Sequence, residues 1–131
     1  MGIEKDYIMR QLLMLFEVIQ KILRWRKKGE KGKAKDEIKY FYQILKIETD
    51  INSMKIEELI EFLEKEKNLT NEHIEMVAFV LKEQGEMEED SKLKIDFFRK
   101  SYFLLAKVER ESITFSMDRQ MKLSELKEYL N

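Results

Sequence analysis

The first 28 residues of the chain carry an unusually wide apolar face. Twelve of the eighteen residues from Ile8 to Trp25 are apolar, and at helical spacing they cover roughly 220° of the circumference. A surface helix usually shows an apolar stripe little wider than about 100°. The pattern therefore predicts a helix over residues 4–28 that lies centrally in the fold, pairs with a second copy or lies in a membrane surface.

Apolar residues at helical spacing predict five further helices. We expect them over residues 34–48, 54–67, 71–85, 86–111 and 116–130. Ser53 and Thr70 are the predicted N-caps of the third and fourth helices, because their hydroxyl oxygens can accept from first-turn N–H groups. Asn68 suits a left-handed C-cap position, and Gly85 is expected to end the fourth helix.

The scarcity of turn residues indicates the fold class. The chain has no proline and only four glycines, whereas an all-β or α/β fold needs many more such residues. We therefore predict an all-α protein of about six helices in antiparallel hairpins, one between the third and fourth helices and one between the fourth and fifth. The length predicts a single domain over residues 1–131, with an N-terminal apolar helix at 1–30 and helical hairpins at 34–131.

Two short segments carry a family resemblance. The run Asp6–Gln11 before the apolar helix, and the run Thr114–Arg119 near the end, resemble the two ends of an uncharacterised family of small bacterial proteins, chiefly from Gram-positive anaerobes. That family is classed as a domain of unknown function and in part as tetratricopeptide-like. The resemblance implies an all-helical fold and implies no activity.

The tetratricopeptide pattern fits one predicted hairpin. A large, a medium, a small and a large residue are followed by a glycine in such repeats, and the matching positions here are Ile74, Val77, Ala78, Leu81 and Gly85. The next helix fits after a shift of three or four residues, which supplies Phe97 or Phe98 as the aromatic residue and Ser101 as the small one. We expect one tetratricopeptide-like hairpin with a lengthened turn, covered by the other helices.

Residues that catalytic and metal sites require are scarce. Cysteine is absent, which excludes disulfides, thiolate nucleophiles and cysteine-ligated metals. His73 is the only histidine, and Thr70 stands where a helix-borne di-metal site needs glutamate, so His73 is expected on a helix surface. The acidic run 86–90 lacks the spacing of a calcium loop. The sequence predicts a non-enzymatic protein without a metal or a cofactor.

Basic residues are concentrated after the first helix. The first 48 residues hold twelve basic and seven acidic side chains, a net +5, and the remainder has a net −6. The candidates for contact with an anionic partner are Arg24, Arg26, Lys27, Lys28 and Lys31. The alternative is that these cations only favour the helix C-terminus and keep the chain soluble. Nucleic acid is disfavoured as a partner because the whole chain is slightly acidic.

The width of the first apolar face leads to the functional prediction. We expect a helical scaffold or interaction module that forms a homodimer or binds a protein partner through this helix. The predicted interaction surface is Ile8, Leu12, Leu15, Phe16, Ile19, Ile22, Leu23 and Trp25. The alternative is a peripheral membrane protein anchored by the same helix and the basic turn after it. The N-terminus does not read as a secretory signal, so a cytoplasmic location is expected.

Overall fold

The computed structural model describes the backbone of residues 2–131 and the side chains of residues 5–131, and this part of the chain is all-helical. Met1 lies outside the described residues. The prediction of an all-α protein with six helices is confirmed over the described chain. The helices are α1 (Gly2–Lys27), α2 (Lys31–Ile44), α3 (Ile56–Glu61), α4 (Asn71–Met87), α5 (Ser91–Glu111) and α6 (Met117–Leu130).

The first compact unit ends at Thr49 and consists of the α1–α2 hairpin with the residues that follow it. Gly29 has φ +78°, its N–H donates to the carbonyl of Arg26, and the N–H of Glu30 donates to the carbonyl of Trp25. This pair of bonds is a Schellman motif, which needs a left-handed residue that glycine supplies without strain. α2 buries Ala34, Ile38 and Phe41 and packs along α1.

The segment between α2 and α4 differs in detail from the prediction. α2 ends at Ile44 rather than Glu48, and Ser53 lies in a 3₁₀ turn over Ile51–Ser53 instead of capping α3. The side chain of Asp50 caps that turn by accepting from the N–H of Asn52 at 3.0 Å. α3 continues into a π-helical turn over Phe62–Glu66, and Asn68 takes the predicted left-handed conformation with φ 52°.

The second compact unit runs from Asp50 to Asn131 and is built around the α4–α5 hairpin. Thr70 caps α4 as predicted. The two helices approach closely where Ser101 Oγ donates to the carbonyl of Ala78 at 2.7 Å, with both residues buried. α6 packs on α5. α3 also packs on α5, whereas the sequence predicted a hairpin of α3 with α4.

Gly85 does not end α4, so that prediction is wrong. The helix continues to Met87, and Gly85 is buried within it. A Cβ atom at this position would lie 2.6 Å from Cε1 of Phe98 and 2.8 Å from its Cδ1. The glycine is therefore needed for the close approach of α5 to α4, which helical periodicity alone does not reveal.

The break that the sequence analysis places at residues 30–34 lies inside the first unit, since α1 and α2 pack together. The division between the two units falls instead between Thr49 and Asp50. The single-domain assignment stays a prediction.

Candidate interaction surface on the first helix

The inner face of α1 belongs to the protein core. Leu15, Val18, Ile19 and Ile22 are all buried, and their spacing places them on one side of the helix. Three of them, Leu15, Ile19 and Ile22, were predicted to form the interaction surface. Burial within the subunit removes these three side chains from the surface that is available to a partner.

The other five predicted surface residues keep some exposure. Phe16 is 48% exposed, and the half-buried residues are Ile8, Leu12, Leu23 and Trp25. The exposed part of the predicted surface is therefore narrower than the whole predicted set, and it lies on a different side of α1 from Leu15 and Ile22. The wide apolar arc contains both a core stripe and an exposed stripe.

The exposed stripe, which we call the outer seam, consists of Met9, Leu13, Phe16, Gln20 and Leu23. Met9 and Leu13 are 53% and 61% exposed, while Gln20 and Leu23 are half-buried. The spacings along the seam are four, three, four and three residues, which is the repeat of a helix that pairs with another helix. Met9 and Leu13 belong to the wide apolar arc of α1 but are not among the residues predicted to form the interaction surface.

The two edges of the outer seam differ in chemistry. One edge carries Arg10, Glu17 and Arg24, all exposed and seven residues apart. On the opposite edge, Leu12 is half-buried and Ile19 is buried, so this side leads into the core. Along the middle of the seam, between residues 10 and 24, charged side chains therefore lie on one edge only.

The basic turn is organised around Trp25. Lys33 Nζ lies 4.5 Å from the centre of the indole ring and Lys28 Nζ lies 5.5 Å from it, distances at which a cation is attracted to the ring face. A cavity of about 200 Å³ nearby is lined by Lys21, Arg24, Trp25, Lys28 and Glu37. Of the predicted anion-binding residues, Arg24 and Lys28 line this cavity. Arg26 is half-buried, and Lys27 and Lys31 are exposed outside it.

Arg119 holds the loop between α5 and α6 in place. Its Nε donates to Glu109 and its Nη1 to Glu75, each at 2.7 Å, and its Nη2 donates to the carbonyl of Thr114 at 2.9 Å. Burial acts to lower the pKa of Arg119, but the hydrogen bonds with Glu75 and Glu109 outweigh it and raise the pKa above its usual value. The guanidinium therefore stays charged and fixes the loop backbone.

The same loop displays a second exposed apolar strip, which we call the loop strip and which the sequence analysis missed. It consists of Ile113, Phe115, Met117 and Met121, and Ile113 is fully exposed. No charge pattern beside this strip indicates a partner.

His73 is buried rather than exposed, so the prediction of a surface histidine is wrong. Its Nδ1 accepts from the N–H of Thr70 at 3.3 Å and lies 2.7 Å from Thr70 Oγ1, so the imidazole takes the place that Glu or Gln usually has in a capping box. Burial lowers the pKa of His73 below its ordinary value of 6.5, and the nearby Glu72 offsets part of the effect. His73 therefore has a structural role in starting α4.

A cavity in the second unit is lined by charged side chains. This cavity of about 360 Å³ extends from Asn52 to Glu57 and along Asp96, Arg99 and Lys100, but Lys100 is held by Asp96 and by the carbonyl of Asn52. The side chains that are described include no group of three His, Asp or Glu residues that could hold a metal ion. The outer seam is therefore the feature with the clearest functional geometry.

No helix within the described part of the chain is long and apolar enough to cross a membrane. Comparison with protein-family models, curated proteins and solved structures finds no match to this chain.

Proposed function

We propose that this protein is a non-enzymatic helical interaction module that self-associates through the outer seam of α1. The observation that carries the proposal is the exposure of Met9, Leu13 and Phe16 along one side of a helix whose other side is core. Contiguous exposed apolar patches on soluble proteins usually mark interaction surfaces. A two-fold dimer is the commonest way for a chain to cover such a patch with a second copy.

The size of the seam indicates a weak dimer. Complete burial of a Leu, Met or Phe side chain contributes about 1.5–3 kcal/mol, so covering the exposed half of each contributes about 1 kcal/mol. Six such side chains from two copies contribute about 6 kcal/mol, against an association cost of at least about 4 kcal/mol. This apolar term leaves about 2 kcal/mol, and we expect the half-buried seam residues and the charged edge to add about 2–5 kcal/mol, which gives a dissociation constant between about 10 µM and about 1 mM.

A peripheral membrane role is the alternative proposal. Trp25 and the basic turn at the end of an apolar helix favour it. Against it, four inner residues of α1 are committed to the core, and the edge of the exposed strip has Glu17 between Arg10 and Arg24. An anionic membrane attracts only the two arginines, whereas a second copy can pair with both signs of charge.

Finer features belong to the same proposal. The α4–α5 hairpin acts as a tetratricopeptide-like unit, and the close contact of Ser101 with Ala78 supports this interpretation. We also propose that the protein belongs to the small bacterial family that its two ends resemble and that it acts in the cytoplasm.

The experiment compares two charge insertions on exposed apolar residues. Leu13→Glu places a carboxylate in the outer seam, and Phe115→Glu places one in the loop strip, where the side chain is 72% exposed. The particle mass is measured by sedimentation equilibrium from about 10 µM to about 1 mM, a range that brackets the expected dissociation constant. We expect Leu13→Glu to remain a monomer while Phe115→Glu dimerises like the wild type.

Other outcomes would contradict the proposal. Dissociation by Phe115→Glu with no effect of Leu13→Glu would assign the contact to the loop strip. Flotation with anionic vesicles of phosphatidylserine and phosphatidylcholine at low salt, abolished by Leu13→Glu, together with a monomeric wild type, would instead support the membrane alternative.

A further inference from the structure

We infer that two copies of the chain pair antiparallel through their outer seams, with Arg10 of each copy against Glu17 of the other. The inference depends on the proposed self-association and adds the direction and register of the pairing. It follows from the seam periodicity and from the charges along the exposed edge.

The periodicity of the seam specifies a helix as the partner. In a heptad repeat, Leu13 and Gln20 occupy one type of core position and Met9, Phe16 and Leu23 occupy the other. The matching surface is another helix with the same repeat, which a second copy of α1 supplies. Gln20 is a polar core position, a feature that restricts register in paired helices.

A parallel pairing brings like charges together and leaves Glu17 without an oppositely charged partner in the other copy. When two parallel helices are related by a two-fold axis along their length, the charged edge of one faces the opposite edge of the other. Arg10 then faces Lys5 of the second copy, which has the same sign of charge, and Glu17 faces Leu12. This arrangement has one repulsive contact and no ion pair along most of the seam.

An antiparallel pairing brings the two charged edges together. In the register that we infer, Leu13 packs against Phe16 of the other copy and Met9 packs against Gln20. In each such pair, the number of the residue in one copy and the number of its partner in the other add to 29. Arg10 and Glu17 then differ in axial position by about 3 Å, which both side chains can span. The two-fold axis repeats the ion pair.

Neighbouring antiparallel registers are less favourable. A shift of one heptad toward the N-terminus places Arg10 opposite Arg10 of the other copy. A shift of one heptad toward the C-terminus places Glu17 opposite Glu17 and Arg10 opposite Arg24. Like charges at these positions oppose association. The edge charges therefore favour one register.

The absence of cysteine from the sequence permits a direct test by disulfide cross-linking. Two single variants are made, Met9→Cys and Gln20→Cys, and are oxidised separately and as an equimolar mixture. Within one helix these positions are about 17 Å apart along the axis. The antiparallel register predicts a cross-link in the mixture and very little in either variant alone.

A charge exchange provides a second readout. Arg10→Glu and Glu17→Arg are each expected to weaken the dimer about tenfold, because each turns two attractive pairs into repulsive ones. The double variant Arg10→Glu/Glu17→Arg should return to within about twofold of the wild type. Lys127→Glu, which makes the same charge change at an exposed position on α6, is expected to leave the dissociation constant unchanged.

The outcomes separate this inference from the proposed function. Efficient self-cross-linking of Met9→Cys would show a parallel pairing and overturn the inference while self-association stands. Failure of the double charge exchange to restore a dimer would also overturn the register. A wild-type chain that stays monomeric at about 1 mM would remove the proposed function itself.

Discussion

Two leucines on α1, two residues apart, offer a controlled test of the division between core and seam. Leu15 is fully buried and Leu13 is 61% exposed. Leu15→Ala deletes three carbon atoms from the core and leaves a space that the neighbours fill only in part. We expect it to lower the free energy of unfolding by about 3–4 kcal/mol. The same substitution at Leu13 should change it by less than about 0.5 kcal/mol in the monomer.

Trp25 makes the measurement specific to the first unit, because it is the only tryptophan in the chain. Urea unfolding is followed by its fluorescence at about 2 µM protein, where the expected dimer is dissociated. With a slope of about 1.5 kcal/mol per molar urea, the expected loss of about 3–4 kcal/mol in Leu15→Ala should lower the midpoint by about 2–2.7 M. Equal losses for the two variants, or a larger loss for Leu13→Ala, would refute the assignment of core and exposed faces.

Three further predictions concern the second unit. Gly85→Ala should destabilise the protein by about 1–2 kcal/mol in thermal unfolding, because the new methyl group meets the buried ring of Phe98. This clash outweighs the gain in helix propensity from alanine. A rise in stability would contradict the close approach of α5 to α4 at Gly85. Burial lowers the pKa of His73 in the folded state, so its contribution to stability is present above its ordinary pKa of 6.5 and is lost as pH falls through the lowered folded-state pKa. His73→Gln should remove this pH dependence of the free energy of unfolding, and a pH profile unchanged by the substitution would refute the assignment. Arg119→Ala should lower the free energy of unfolding by about 2–3 kcal/mol, because three hydrogen bonds of the guanidinium are lost. It should also increase amide hydrogen exchange in the α5–α6 loop around Thr114. Full protection of these amides in the variant would show that other contacts hold the loop.

The helices and their approximate bounds could be predicted from the sequence because their apolar residues follow the helical repeat and because turn residues are few. The sequence could not predict which part of the wide apolar arc on α1 is buried and which part stays exposed. Leu13 and Leu15 have the same side chain, and only the position of α2 decides which becomes core. Periodicity reports how much apolar surface a helix presents, whereas tertiary packing determines which part of it is covered.

The roles of two buried polar residues, His73 and Arg119, could not be predicted for a related reason. His73 occupies a position where capping boxes carry Glu or Gln, so its residue type concealed its role. Arg119 lies in the first turn of α6, where the helix dipole disfavours a cation. That placement is a usable signal, because a cation there needs compensating acids, and Glu75 and Glu109 supply them.

Sedimentation equilibrium of the wild-type chain tests the central claim most directly. Between about 10 µM and about 1 mM, we expect the average mass to rise from that of one chain, 16.0 kDa, toward twice that value. A mass that remains at 16.0 kDa over the whole range would contradict self-association through the outer seam.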